Sequence, residues 1–300
     1  MTYQTGTASD PSDLLGDLAT FAAANGWTVN TPASGRVFIN GAVLVGVNGD
    51  ADSLDGRAAV TYNAGAAWNA QTDAASVSHV CNIGAGPYTA YHFYAEMEES
   101  KPLLAAVVEV SAGVYRHFII SDLIKYGSYT GGAYTDSVYH DTTSDDTNNT
   151  ASSNHRYICD TGTNRSDRGH FRCDVDGVSP NWAHVYSADS HIATVLGTGV
   201  SRFNGKWRGQ TSVGYQRWNL RTPLWPLELF VNRSDSLRSP VGRVPAMRYL
   251  SLRNFTPGEM LSIGGDDWQL WPVVARTDTS GANPSSTPSS SHYGYAYLRT

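Results

Sequence analysis

The sequence predicts a mainly β protein, made of antiparallel sheets packed as a sandwich, with one amphipathic helix near the start at about residues 11–25. Three observations carry this. Short apolar or alternating runs recur along the chain with Gly, Asn and Pro between them, as strands separated by turns require. Charged residues make up only 16% of the 300, against a usual share of about a quarter. Their place is taken by Ser, Thr, Asn, 29 glycines and 17 tyrosines. Tyr and Thr fit a pleated, half-buried surface, and Gly and Asn supply the positive φ angles of tight turns. A hydrophobic share of 41% is enough for a core in one large domain or two ordinary ones.

The helix comes first. Asp10 is placed to cap it, Pro11 suits its first position, and Asp13 adds a carboxylate to its first turn. Leu14, Leu15, Leu18, Phe21 and Ala22 recur at helical spacing, and Gly26 is placed to end the helix in the left-handed conformation, with Trp27 packing just beyond. The period then changes. Strands are expected at Val37–Ile39, Ala42–Val47, Ala58–Tyr62, His79–Cys81, Thr89–Tyr94, Leu103–Val110 and Tyr115–Ile120. Leu103–Val110 is nearly all apolar, which implies a strand covered on both faces. Val110-Ser-Ala-Gly-Val114 offers a tight turn into Tyr115–Ile120, and a paired-glycine turn is expected at Gly131-Gly132.

From Asp136 to about Arg168 the chain is polar and turn-rich, which reads as a long loop or a domain junction. Strand-like runs resume at His170–Val175, Trp182–Tyr186 and His191–Val195. Pro223 and Pro226 keep the apolar stretch Trp218–Val231 out of a helix, so it crosses a core or lies on a partner. A last hairpin group follows, with Pro257–Ile263, a turn at Gly264-Gly-Asp-Asp267, and Trp268–Val274. After a Ser, Pro, Gly and Thr tract, Tyr293–Leu298 forms an aromatic arm suited to docking on its own subunit or another. The expected divisions are 1–135, a helix plus β-meander; 136–245, a loop-rich β region or insertion; and 246–300, a hairpin and aromatic arm able to pack back on the first.

A net charge of −6 gives no electrostatic ground for nucleic-acid binding. No run of about twenty apolar residues offers a membrane span, and the start has no basic stretch leading into an apolar one, so production in a reducing cytoplasm is expected. The three cysteines Cys81, Cys159 and Cys173 form an odd set, which argues against a disulfide framework. His155, Cys159, His170 and Cys173 are zinc-type ligands within nineteen residues, but without the tight knuckles of structural sites; free cysteines in a loop are the expectation, with no metal and no cofactor.

Several clusters invite a chemical reading. Asp266 and Asp267 pair carboxylates, as glycoside hydrolysis requires, yet between two apolar strands they read as a turn. Glu96, Glu98 and Glu99 with Asp122 are a second acidic set, and a solvated strand end is its ordinary origin. Asn48–Asp55 alternates oxygen ligands like a calcium loop but lacks the glycine at the sharp turn and the closing glutamate. Asn204-Gly-Lys206 does not complete a phosphate loop, no Gly-x-Ser-x-Gly elbow exists, and no histidine sits in a base signature. No catalytic residue is assigned. Low charge and abundant aromatics suit permanent subunit contacts, for which Trp225, Phe230, Trp268, Trp271, Tyr293, Tyr295 and Tyr297 are the candidates. The same rings would also suit a sugar-stacking surface.

Three separated pieces carry a family resemblance. They are Tyr3-Gln-Thr-Gly-Thr-Ala-Ser9 with the Asp13-Leu-Leu helix and Asn25-Gly-Trp27; the block Tyr115–Tyr134; and Gly258–Trp268 through Trp271-Pro272 to Gly294-Tyr-Ala-Tyr297. Together they resemble virion structural proteins of tailed bacteriophages, while about 136–245 matches nothing in that class. The resemblance implies a non-enzymatic virion component, made in the host cytoplasm and built into the tail at the baseplate, tail tip or neck. It would work through contacts with copies of itself and other virion proteins. A glycan- or receptor-binding module of the tail is the alternative, and a glycan-degrading tail enzyme a third.

Overall fold

The computed structural model describes residues 2–75, 78–140, 155–156, 170–173, 181–184, 192–194, 224–232, 238–252, 255–273, 275 and 293–300. The fold is mainly β and sandwich-like, and among the described residues there is a single helix, near the N-terminus, and every strand pairs antiparallel. Its centre is a seven-stranded sheet in the order β1 (Tyr3–Ala8), β7 (Tyr88–Glu98), β8 (Lys101–Ser111), β9 (Val114–Asp122), β11 (Gly131–Ser137), β14 (His170–Cys173) and β15 (Asn181–His184). On one face lies a five-stranded meander of β2 (Thr28–Asn30), β3 (Arg36–Asn40), β4 (Val43–Gly49), β5 (Ser53–Ala58) and β6 (His79–Asn82), together with α1 (Pro11–Ala24). On the other lies a sheet in the order β16 (Ile192–Thr194), β17 (Trp225–Asn232), β18 (Arg238–Ser251), β21 (Tyr293–Leu298), β20 (Asp266–Pro272) and β19 (Met260–Ile263), with β10 (Ile124–Lys125) added to β18. A short pair, β12 (Tyr139–His140) and β13 (His155–Arg156), completes the strands described.

The alternation along β8 explains the layering. Leu103, Ala105 and Val107 enter the core shared with β17–β21, whereas Leu104, Ala106 and Val108 enter the core shared with α1 and the meander. Successive strand residues point to opposite faces, so a run that is apolar at every position needs cover on both sides. The middle sheet has that cover, and β8 lies within it.

The helix follows its sequence signals. Asp10 adopts extended φ and ψ of −162° and 175°, and its carboxylate accepts from the Asp13 amide at 2.9 Å. Leu14, Leu15, Leu18, Phe21 and Ala22 are buried. Gly26 takes φ +84°, and the Trp27 amide reaches back to the Ala22 carbonyl at 3.1 Å, closing the end as a left-handed cap does. Trp27 is buried against the same core.

Other expectations need correction. The run placed at Ala58–Tyr62 is instead β5 over Ser53–Ala58, and Thr61 makes only an isolated bridge to Thr72. A turn closed by the Asp50 amide on the Ser53 carbonyl starts the strand early, and it then buries Leu54, Gly56 and Ala58 on alternate positions. Gly131 and Gly132 do not form the turn. They open β11 with φ of 109° and 114°, and Gly132 lies so close to Asp122 that a Cβ would come within 2.5 Å of its Oδ1. In the second hairpin only Gly264 and Gly265 turn, so that Asp266 and Asp267 begin β20. The strands β1, β2, β10, β11, β12, β13 and β18 have no counterpart among the runs expected from sequence. β18 runs across the boundary expected at 245 and binds β17 into the same sheet as the closing strands.

Candidate functional site: an aromatic seam and its ionic latch

Between the middle sheet and the β17–β21 sheet lies a seam of aromatic side chains with polar tips. It exists because β7 places His92 and Tyr94 on one face while Tyr91 and Phe93 take the other, and because β9 places Tyr115 and His117 on that same face. β20 and β21 meet them with Gln269, Trp271, Tyr295 and Tyr297. Tyr94 and Tyr297 stack at 4.8 Å, while His92 at 4.2 Å and Tyr115 at 5.2 Å both tilt on Trp271.

The polar tips of Tyr94, Trp271, Gln269, His117 and Tyr297 are paired within the seam. The Tyr94 hydroxyl donates to Gln269 Oε1 and accepts from Trp271 Nε1, both at 2.7 Å. His117 is fully buried, with Nε2 at 2.7 Å from the Pro272 carbonyl and Nδ1 at 2.8 Å from the Tyr297 hydroxyl. A carbonyl only accepts, so Nε2 carries the proton and Nδ1 accepts from Tyr297. Burial drives the His117 pKa down to about 3, against the pull of the Pro272 hydrogen bond. His92, held by the Tyr3 hydroxyl at 2.8 Å, is lowered to about 4 by burial and by the charge of Arg299. Both are neutral imidazoles at neutral pH, and Tyr94 and Tyr297 are pushed well above the usual tyrosine range by burial.

At one end of the seam the layers are fastened by charge. Glu98 accepts from Arg243 Nη1 at 2.5 Å, from Arg248 Nη2 at 2.6 Å and Nη1 at 3.1 Å, and from the Ala246 amide at 2.6 Å. Glu99 takes the other arm of Arg243 at 3.0 Å. Desolvation raises the Glu98 pKa, but the Arg248 hydrogen bond, the Ala246 amide and the two guanidinium charges outweigh it and leave the carboxyl below its usual value. Three non-glycine residues with left-handed φ meet here, Glu99 at 50°, Ser100 at 62° and Ala246 at 49°. The first two form the two-residue β7–β8 turn, which needs positive φ at both positions.

The sequence candidates fall as follows. Trp268, Trp271, Tyr295 and Tyr297 are buried in the chain's own core and present no surface to a neighbour; Trp271, Tyr295 and Tyr297 pack on the middle sheet, and Trp268 lies against Arg248 of its own sheet. Trp225 is partly buried against the same cluster. Phe230 and Tyr293 lie in β17 and β21, and their side chains are outside the described residues. Cys159 is also outside them, and His155, His170 and Cys173 are placed here only by their strands, β13 and β14. Among the described residues no three His, Cys, Asp or Glu side chains cluster as metal ligands, and no helix is long and apolar enough to cross a membrane.

Glu96 is buried and accepts from the Thr300 amide and hydroxyl at 3.1 and 2.8 Å. Asp122 pairs with Lys101 at 2.6 Å, Asp267 accepts from Ser262, and Asp266 is exposed. The acidic set at 96–99, expected at a solvated strand end, is therefore largely buried in contacts. Sequence reasoning missed His92, His117, Gln269, Arg243 and Arg248 as members of the seam and latch. The alternation in Tyr91-His-Phe-Tyr94 was the available signal, since it sends His92 with Tyr94 and away from Phe93. No protein-family model matches the chain, and no curated protein matches it.

Proposed function

We propose that this protein is a non-enzymatic structural component of a tailed-phage virion, placed in the tail at the baseplate, tail tip or neck, and acting through contacts with copies of itself and with other virion proteins. The supporting observation is that the three pieces bearing the phage resemblance, far apart in sequence, are brought together, the first and last through the residues that flank them and the central and last directly. Thr2 donates to the Thr300 carbonyl at 2.6 Å, and the Arg299 guanidinium lies 3.8 Å from the centre of the Tyr3 ring. His117 of the central piece holds Tyr297 and Pro272 of the closing one. Such bracing suits a part that bears load, and Glu96, Glu98 and Asp122 are held in contacts of their own with Thr300, Arg243 and Lys101. The test is proteomic and structural analysis of purified particles. A symmetric copy number supports the reading, and absence from mature particles sinks it.

A second reading, as a host glycan-binding module of the tail, draws on Tyr126. Its ring is exposed, and its hydroxyl donates to Glu228 at 2.8 Å, an aromatic face beside a polar anchor such as sugars stack on. Binding of host polysaccharide by the isolated chain, lost in Tyr126→Ala, would favour it. Turnover of a host polymer that disappears when a single acid is neutralised would overturn both readings in favour of an enzyme.

A further inference from the structure

We propose that Arg116 is a receiving site for one oxyanion, of the carboxylate or phosphate class, at the end of β6 where it meets β9. Arg116 is a guanidinium only 5% exposed. Its Nε donates to the Asn82 carbonyl at 3.1 Å and its Nη1 to the Tyr115 carbonyl at 2.9 Å. Those two carbonyls fix the plane of the group, while Nη2 makes no hydrogen bond among the described residues and is not sealed from solvent.

The contrast with Arg243 and Arg248 is what singles it out. Those two share Glu98. Arg116 has no carboxylate partner among the described residues, where the acid-forming neighbour whose charge acts on it is the Cys81 thiol. Burial lowers its pKa to about 10, which leaves it a cation at neutral pH. A buried charge without a counter-charge is costly, and a guanidinium with one edge already oriented offers its remaining N–H groups in a fork that matches the spacing of two oxyanion oxygens. The anion therefore supplies what the fold leaves out. This inference stands apart from the virion reading, since a monomer in solution suffices to test it.

The experiment is thermal unfolding of the full chain in millimolar inorganic phosphate, and separately in acetate, with ionic strength held constant by sodium chloride. The expected result is a saturable rise in Tm of about 2–5 °C with at least one of them. Arg116→Met should abolish the rise, and Arg116→Lys, which keeps the charge without the fork, should weaken it. A response to phosphate alone assigns the site to a phosphate group, and a response to acetate assigns it to a carboxylate. Where Arg116→Met does not fold, a selenate soak of wild-type crystals reads the site directly by anomalous scattering at Nη2. No rise in the wild type, an equal rise in Arg116→Met, or no selenate at Arg116 overturns the proposal.

Discussion

His117 illustrates how one side chain can couple two layers and make them sensitive to acid. Folded, it titrates at about 3; unfolded, near 6.5. Between those values the unfolded chain binds a proton that the folded one refuses, so this contribution is complete above about pH 6.5 and declines as pH falls towards 3. The slope is at most ~1.4 kcal/mol per pH unit. His92, lowered to about 4, adds a decline in the same direction. Urea unfolding at a series of pH values should show this, with a shallower slope in His117→Ala. That variant should also lose about 2–4 kcal/mol at pH 7, because the Pro272 carbonyl and Tyr297 hydroxyl are left buried beside a cavity. Tyr297→Phe, which removes only the donor to Nδ1, should cost about 1 kcal/mol.

Glu98 makes the complementary case, since its folded pKa is depressed. The stability it confers is present above its unfolded value of 4.5 and is lost as pH falls below it. Glu98→Gln takes the shared carboxylate from two guanidiniums whose side chains are 17% and 15% exposed, and leaves Arg243 with the exposed Glu99. The expected cost is about 2–4 kcal/mol in urea titration, a little below the figure for fully buried pairs. A loss under about 0.5 kcal/mol would mean that the latch behaves as an ordinary surface pair.

At the scale of elements, two glycines should respond in opposite directions. Gly16 sits on α1 with nothing within 4 Å of where a methyl group would stand, so Gly16→Ala should stabilise by about 0.5–1 kcal/mol through helix propensity. Gly46, in β4, lies directly under Trp68, and a Cβ there would run into the Trp68 carbonyl. Gly46→Ala must push the Trp68 loop off the meander, at an expected cost of about 2 kcal/mol. Thermal melts of the two variants side by side decide the matter. The helix was legible because its cap, its apolar stripe and its terminating glycine are all local signals. β11 was not, because its opening glycines read as a turn and its buried Thr135, Asp136 and Ser137 read as polar loop. These side chains are tolerated inside because they have partners: Thr135 donates to the Ile119 carbonyl and Ser137 to that of Val80, while Asp136 accepts from the Tyr134 hydroxyl and the Ser137 amide of its own strand.

For the whole molecule, the layering predicts where protection is greatest. β8 and β9 lie in the interior of the middle sheet with cores on both faces, so the amides of 103–108 and 118–120 should exchange slowest, near the global unfolding limit. Those of the edge strands β1 and β19 should exchange faster. Mass-spectrometric hydrogen exchange would show this, and uniform protection across all three sheets would contradict the layered core. The joint between β9 and β21 links residues 180 apart in sequence, so the seam forms only after distant strands have met.

What the sequence alone determined is the class of the fold, the helix with both its ends, and the double burial of β8, because each is written in neighbouring residues or in a period of two. The tertiary structure decided the rest. It turned Trp271, Tyr295 and Tyr297 inward onto the chain's own middle sheet, gathered Glu98 with Arg243 and Arg248, and left Arg116 without an acid among the described residues. Side-chain type and period show that a ring or a charge seeks a partner, but the partner stands on a strand 80 to 180 residues away, and only strand order and register bring the two together.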